Sequence, residues 1–493
     1  MDQPGGSAPA ASAPGAPTST SPGRAAVLSF ILPGLGQLSA GAVQRGLILA
    51  VPVLATLLVA AFFLLVDRID LVSGLFDPTI ILALVVLDVV LGIIHLVAIG
   101  DAYRLARRRL AAAAWSVRGA PRLLAGLLAA TVVLHGALGA VGYQAYRTLT
   151  AVFEAPGTGY VIPPASFGPP ASVAPGATPF EVSAFPGPAW AQDGRLNILL
   201  IGGDSGPGRW SIRTDTMIVM SADVATGRVA LFGIPRNLLN VPLAPEDAKA
   251  FPQGLYPDLL NALWVYADGH PANFPGDDDT RGFRAITGAV QQLVGVPLDG
   301  AVVVNLNGFV DLVNTLGGLW VDVPYPIHDD DYPLESGVRH VVLDIKAGCQ
   351  HLDGHLALAF ARSRHQASDY QRMDRQQIVL DDLANQLDPI SLIMQMPTLL
   401  DVAGTNIRTT FQPSDMGQLL RFAAQVDRKD IAHVLFDPPD YPEYLTAKEV
   451  TSIQRTVRNV FGAPGASPAP SLAPTAGPSL VPSPTPKACP PPA

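Results

Sequence analysis

At 493 residues, with 49% hydrophobic and only 15% charged side chains, the chain is too long for one core and too apolar to be wholly water-exposed. A mean hydropathy of +0.31 and a formal net charge of −9 point to membrane segments joined to a folded part; they give no support to nucleic-acid binding, and no basic stretch is interleaved with aromatics. Cys349 and Cys489 cannot make a disulfide framework and lack zinc-site spacing; with one in periodic sequence and the other in a proline-rich tail, a bridge between them is not expected.

Residues 1–23 are almost wholly Pro, Ala, Gly, Ser and Thr, a composition that cannot bury enough apolar surface to order itself. No charged segment precedes a cleavable apolar one, so no signal peptide is read. The membrane region is set at 24–147. Gly46 to Val66 is a 21-residue run without charge, Pro78 to Gly100 a 23-residue run broken only by Asp88 and His95, and Leu123 to Val141 a 19-residue run containing His135. Each can cross ~30 Å of hydrocarbon as a helix, which predicts three spans at about 46–66, 78–100 and 123–141. Ahead of them, "AAVLSFILPGLGQL" (Ala25 to Leu38) is apolar but short, and Pro33 and Gly34 interrupt it, as in a re-entrant or interfacial hairpin. It resembles the Pro-Gly-Leu-Gly-Gln stretch that opens small two-helix membrane modules of bacteria.

The loop Asp101 to Arg122 carries Arg104, Arg107, Arg108, Arg109, Arg118 and Arg122, whereas the loop between the first two spans has Arg68 alone, flanked by Asp67 and Asp70. The arginine-rich loop is therefore expected in the cytoplasm, with the N-terminus inside and everything after Tyr146 outside. Asp88 and His95, seven apart, share a helical face. They suit a proton relay or an interior hydrogen-bonding pair; two residues make a poor pathway, and the pair is the expectation.

The Pro/Gly-rich stretch 148–194 reads as an extended linker, 195–388 as a folded domain, 389–461 as a C-terminal extension and 462–493 as a disordered Pro-rich tail. "LNILLIGGD" (Leu196 to Asp204), "TDTMIVMSAD" and "RVALFGIP" suit buried strands. "AVVVNLNGFVDLVNTLGG" (Ala301 to Gly318) reads as strand then helix, "LDGHLALAFARSR" (Leu352 to Arg364) as a helix delivering two arginines, and "DRQQIVLDDLANQLDPISLIMQM" as a long amphipathic helix. Helices alternating with buried strands predict an α/β layered domain.

Charged residues recur at strand ends: Asp204, Arg213, Asp215 and Arg236, then Arg362, Arg364, Asp369, Arg372 and Arg375. Arg362 and Arg364 alternate, so in extended backbone they face one way; Arg372, Arg375 and Gln376 share a helix face. Guanidinium forks suit phosphate oxygens, and two aspartates nearby can hold Mg²⁺ against them. Spacing alone leaves this reading level with an ordinary lattice of Arg/Asp pairs.

The ordered series "NILLIGGD…RTDTMIVMSAD…RVALFGIPRN…LLNALWVYADG…GVPLDGAVVVNLNGFVDLVNTLGGLWVDVPYPI…LDGHLALAFARSRHQASDYQRMDRQQ" closely resembles the LytR-CpsA-Psr family, over about Arg195 to Leu387. The resemblance implies a layered αβα sandwich and a membrane-anchored phosphotransferase of the bacterial envelope. Such an enzyme moves a glycan-1-phosphate from a polyprenyl-pyrophosphate carrier to a hydroxyl of peptidoglycan or another wall acceptor. It implies that Asp204 and Asp215 coordinate Mg²⁺ and that Arg213, Arg236, Arg362 and Arg364 grip the pyrophosphate. Asp369 matches the family's functional aspartate, a base for the acceptor hydroxyl or an orienter of arginines; Arg372, Arg375, Gln376 and Asn261 frame the site. The three spans lie outside the resemblance, whose common pattern has one.

Two positions depart from it. The common motif ends Pro-Arg-Asp where this chain has Pro235-Arg236-Asn237, which loses a negative charge. Many members carry a basic residue two positions before Asn261; here Leu259 stands there, so that phosphate contact is absent or comes from Arg209 or Arg281. The acidic runs Asp277–Asp279 and Asp329–Asp331 match no calcium loop and read as solvated loops. His340, His351, His355 and His365 lack metal-ligand spacing, no G-x-S-x-G is present, and "GGDSGPG" lacks a P-loop ending. A non-catalytic polyprenyl-pyrophosphate-binding scaffold is the alternative function. A DNA-binding regulator finds on the cytoplasmic side only a short basic loop and the N-terminus.

Overall fold

The computed structural model describes residues 20–66, 71, 74–112, 120–153, 162, 194–204, 213–333, 340–363, 368–386, 398–399, 402, 406–423, 425–426, 431–461 and 489. Most of the N-terminal stretch, linker and tail, together with Arg209 and Arg364, lie outside these residues. The chain divides into two compact units, Met1–Leu71 with Thr79–Tyr143, and Val72–Pro78 with Gln144–Ala493.

The first unit holds two short helices, α1 (Pro22–Ile31) and α2 (Leu35–Ser39), then α3 (Val43–Val66), α4 (Pro78–Ala112) and α5 (Pro121–Phe153), whose last turns pass into the second unit. The last three are long and apolar enough to cross a membrane; α1 and α2, of 10 and 5 residues, are not. Glycine is demanded where α1 turns back into α2. Gly34 has φ +97°, and a Cβ there would stand 2.2 Å from the Gly46 carbonyl oxygen; at Gly36 it would stand 2.1 Å from that of Ala25. The close approach buries Gln37, whose Nε2 donates to the Ala98 carbonyl (2.9 Å) and Asp101 Oδ2 (3.2 Å), while its Oε1 accepts from Ser29 Oγ (3.0 Å).

Asp88 and His95 do not pair directly; His135 of α5 bridges them. Asp88 Oδ1 lies 2.8 Å from His135 Nδ1, His135 Nε2 lies 3.3 Å from His95 Nδ1, and His95 Nε2 lies 2.8 Å from the Phe30 carbonyl oxygen. A carbonyl only accepts, so the network assigns a proton to His95 Nε2. His135 Nε2 then donates to His95 Nδ1, and its Nδ1 meets the Asp88 carboxyl group. The chain ends on a backbone carbonyl, which makes it a tie between helices, not a path.

The second unit begins with three strands, β1 (Arg195–Gly203), β2 (Thr214–Asp223) and β3 (Val229–Gly233). Two short strands follow, β4 (Val241–Pro242) and β5 (Leu255–Tyr256), then α6 (Leu263–Gly269), α7 (Arg281–Val294), β6 (Gly300–Asn305) and α8 (Leu306–Thr315). Next come β7 (Leu319–Val323), β8 (Ile327–Pro333), β9 (His340–Ile345), β10 (Gly348–Leu352), α9 (Gly354–Arg362) and α10 (Asp369–Gln386). The last elements are β11 (Ile407–Thr409), α11 (Pro413–Ala423), β12 (Ile431–Leu435) and α12 (Ala447–Asn459).

Six strands form one mixed sheet in the order β11-β6-β1-β2-β3-β12. β1 is antiparallel to β2 and parallel to β6, and β12 is parallel to β3. Both edge strands, β11 and β12, come from the segment expected as a C-terminal extension, which is part of this sheet. Alternating strand residues bury both faces. Leu199, Ile201, Val219 and Phe232 pack with α7 and α12, while Ile198, Ile218, Ala222 and Leu231 share a cluster with side chains of α11. A third cluster joins α9, α10 and β7 to the hairpin β8–β9. The result is the layered α/β/α arrangement, in which each fully buried large aliphatic or phenyl side chain contributes about 1.5–3 kcal/mol. Contrary to expectation, Cys349 on β10 is bridged to Cys489.

Two predictions follow from buried charge. His135→Leu leaves Asp88 unpaired between helices, so it should lower the thermal midpoint of the full chain in detergent, at about 1–2 kcal/mol per hydrogen bond removed. The double Asp88→Leu/His135→Leu chain should recover part of that loss; a neutral single substitution would contradict the tie. On α10, burial and then the Asp381 and Asp322 carboxylates push Asp382 up to about 7. The folded state thus holds a proton that the unfolded chain releases near pH 4, so stability falls as pH rises from about 4 to about 7. Asp382→Asn should flatten this slope and stabilise the full chain by about 2 kcal/mol at pH 8, read as melting temperature against pH.

Candidate active site

Local chain geometry aims the first carboxylate. The β1–β2 register slips between Gly202, opposite Thr216, and Gly203, opposite Thr214, so Asp215 is the extra residue of a β-bulge. Bulges re-aim the side chain they carry. Here it meets Arg236, just beyond β3, whose Nη1 donates to Asp215 Oδ1 and whose Nε donates to Asp369 Oδ1 at 3.2 Å. The Asn261 N–H donates to the Arg236 carbonyl oxygen at 3.0 Å and so fixes this loop.

The first turn of α10 supplies Asp369 and Arg372 one turn apart. Arg372 donates from Nε to Asp369 Oδ1 (3.1 Å), from Nη2 to Asp369 Oδ2 (3.3 Å) and from Nη1 to the Asp215 carbonyl oxygen (2.9 Å). Both oxygens of Asp369 thus receive guanidinium N–H groups, the arrangement of an orienting carboxylate and not of a free base. Burial pushes the Arg236 guanidinium down, but Asp215 and Asp369 outweigh it and hold the group above its ordinary value. In Arg372 burial dominates and the value falls, partly offset by Asp369.

The helix α9 is capped by the Asp353 carboxylate, which accepts from the Leu356 N–H at 2.8 Å, and it ends at Arg362 as Ser363 turns extended. Arg375 and Gln376 grip this end: Arg375 Nη2 donates to the Ser363 carbonyl oxygen, and Gln376 Nε2 to that of Ala361 at 3.4 Å. They stand behind Arg362 as its support. Asp215, Arg236, Asp329, Asp331, Tyr332, Pro333, Arg362, Ser363 and Arg372 line a cavity of about 320 Å³. Arg362 Nη1 is buried there with no hydrogen-bond partner among the described residues.

Of the expected set, the structure brings together Asp215, Arg236, Arg362, Arg372 and Asp369. Asp204 and Arg213 are exposed at the neighbouring strand ends, joined by Asp204 N–H to the Arg213 carbonyl oxygen at 3.1 Å, and are not cavity lining. Arg281 cannot stand in for a basic side chain at position 259: its Nε and Nη2 donate to the carbonyls of Phe274 (3.1 Å) and Gly276 (2.8 Å). Asn237 donates from Nδ2 to Glu443, which also accepts from Tyr370 Oη at 2.9 Å. The chain segment after β12 therefore supplies a carboxylate beside Asn237, the position where the common motif has an aspartate and this chain has none.

Asp329–Asp331, expected in a solvated loop, lie in β8, and Asp329 and Asp331 form part of the cavity wall. Asp329 is 5% exposed and accepts from Ser363 Oγ at 2.9 Å. The pattern Ile327-x-Asp329 with Tyr332 beyond it is strand-like, a signal that three consecutive acids obscure. Asp277–Asp279 keep the solvated reading, with Asp278 exposed and paired to Arg281 at 2.8 Å.

Among known proteins, a polyisoprenyl-teichoic acid–peptidoglycan teichoic acid transferase of Bacillus subtilis, TagV, is 29% identical over 202 residues, 41% of this chain and 45% of that protein. A transferase of the same name from Halalkalibacterium halodurans, TagU, is 28% identical over 231 residues, 46% of this chain and 65% of that protein. The chain thus spans less than two thirds of the length of each of these relatives. The crystal structure of B. subtilis TagV superposes with a TM-score of 0.39 at 23% identity, covering 54% of this chain and 96% of that one. Residues 176–444, more than half of the chain, match the model of the LytR_cpsA_psr family, and they reach through both edge strands of the sheet: the chain belongs to that family.

Proposed function

We propose that this protein is a membrane-anchored phosphotransferase that moves a glycan-1-phosphate from a polyprenyl-pyrophosphate carrier onto a hydroxyl of peptidoglycan or another wall polymer. The observation that carries the reading is Arg362 Nη1, a buried cationic donor with no partner among the described residues, in a cavity that two further guanidinium groups line. A buried unmet donor costs several tenths to a few kcal/mol, and a phosphate oxygen is the group that removes that cost. The matched relatives named as teichoic acid transferases support the same class of chemistry.

The acceptor oxygen attacks the glycan-bearing phosphorus, the bond from that phosphorus to the bridging oxygen breaks, and polyprenyl phosphate leaves. Arg362, Arg236 and Arg372 bind the diphosphate and meet its developing charge. Asp369 orients the last two, Arg375 and Gln376 hold the α9 end that carries Arg362, and Arg213 would add a contact from the neighbouring strand end. Three carboxylates balance three guanidinium groups in the lining, so a diphosphate needs a further cation. Asp204, just beyond β1, and Asp215, near the start of β2, are the carboxylates that would hold an Mg²⁺ beside this cavity. When bound, Mg²⁺ would neutralise phosphate charge.

The arginine-rich loop argues for a cytoplasmic N-terminus and an outer second unit, and the Cys349–Cys489 bridge suits an oxidising compartment. For the test, the full chain in lipid nanodiscs is given a polyprenyl-pyrophosphate-linked glycan, peptidoglycan and Mg²⁺. Transfer is expected, with Arg362→Ala lowering its rate about 10²–10³-fold. Tight carrier binding without turnover on several acceptors would favour the scaffold reading, and unchanged transfer by Arg362→Ala would refute the assigned site.

A further inference from the structure

Transfer to a hydroxyl releases one proton, and the arginine-bound carboxylates of the site are poorly placed to take it. Asp215 is held by Arg236, and both Asp369 oxygens accept from guanidinium groups. Asp329 is buried and accepts from Ser363 Oγ (2.9 Å) and the Asp331 N–H (3.2 Å). Asp331 differs: it lines the cavity, has no arginine partner among the described residues, and leaves its side chain 74% exposed at the mouth.

Its one side-chain partner among the described residues is an imidazole. His340 Nδ1 lies 2.7 Å from Asp331 Oδ1 and 3.2 Å from the Asp331 carbonyl oxygen, so the network assigns the Nδ1 proton to this bond. The β8–β9 register slips here, with Asp329 opposite Leu343 and Tyr332 opposite Val341, so that Asp330 and Asp331 together face Val342. Asp331 thus stands on a bulge at the cavity wall, as Asp215 does in β2.

We propose that Asp331 is the general base that takes the acceptor's proton, with His340 as its positioning residue. The proposal rests on the transferase reading and names the group which that reading leaves open. As the acceptor oxygen forms its bond to phosphorus, its proton passes to the Asp331 carboxylate. The bond from phosphorus to the bridging oxygen breaks, its electron pair leaves with polyprenyl phosphate, and Asp331 returns the proton to solvent. In a loose phosphoryl transition state the nucleophile's proton can be taken by an ordinary carboxylate, as in protein kinases. The exposed position suits a polymer: a cavity of about 320 Å³ takes a diphosphate but not a wall strand, which must present its hydroxyl from outside.

The experiment measures transfer, carrier affinity and melting temperature for the full chain in nanodiscs, with Arg362→Ala as the control for the site. Asp331→Asn is expected to lower kcat about 10²–10³-fold while carrier affinity stays within about twofold. His340→Phe should lower kcat about tenfold, and His340→Asn, whose amide can replace the Nδ1 donor, should restore most of it; a merely structural role would not give that rescue. Wild-type kcat in Asp331→Asn, or a fall matched by weakened carrier binding, overturns the proposal while the Arg362→Ala result still upholds the transferase reading. If Asp331→Asn does not fold, the His340 pair decides: equal activity in His340→Phe and His340→Asn overturns it. A wild-type chain that binds carrier and never transfers overturns both readings.

Discussion

Two aspartates hold two arginines in place, and the site depends on that lattice. Asp369 accepts from both Arg236 and Arg372, and Asp215 returns to both, through its carboxylate to the first and its carbonyl to the second. Charges this far out of water persist only when paired and hydrogen-bonded, and removing one partner costs more than the pair contributes. The lattice therefore fixes two cations before any ligand arrives, which is what electrostatic stabilisation of a charged transition state requires. Arg362 differs in kind: with a donor unspent, its environment is completed only by an anion.

The sheet brings these groups together across long stretches of chain. The Arg236–Asp369 bond joins residues 133 apart, and the Arg372–Asp215 bond residues 157 apart. Apolar clusters on both faces set the layers, and α10, packed against α9 and near β3, carries Asp369 and Arg372 to the mouth of β2. Irregularity is confined to where it is useful. The two register slips, at Asp215 and at Asp330–Asp331, fall on strands whose pairing is otherwise regular, and each turns a carboxylate toward the same cavity.

The first unit, whose three longest helices are long and apolar enough to cross a membrane, solves the same matching problem among apolar side chains, where polar groups must find partners inside the protein. Gln37 spends both ends of its amide on Ser29, Ala98 and Asp101, and the His135 ring occupies both nitrogens between Asp88 and His95. Residues that are costly singly become ties between helices once each donor meets an acceptor.

Much of this was legible in the residues themselves. Run length predicts the three apolar helices, short apolar runs predict β1 to β3, and the order of charged motifs carries the family resemblance, because each is a local property of consecutive side chains. Other features depend on contacts between distant segments. His135 became the bridge between Asp88 and His95 only through helix packing, and the extension after Pro389 became two edge strands only through pairing. Asp329 and Asp331 became a cavity wall by the register of a hairpin, and Arg375 and Gln376 stand behind Arg362 because α10 crosses the end of α9. Sequence determines which groups are present and which element each rides on. Which nitrogen meets which oxygen is decided by packing, since a hydrogen bond depends on a few tenths of an ångström between atoms more than a hundred residues apart in the chain.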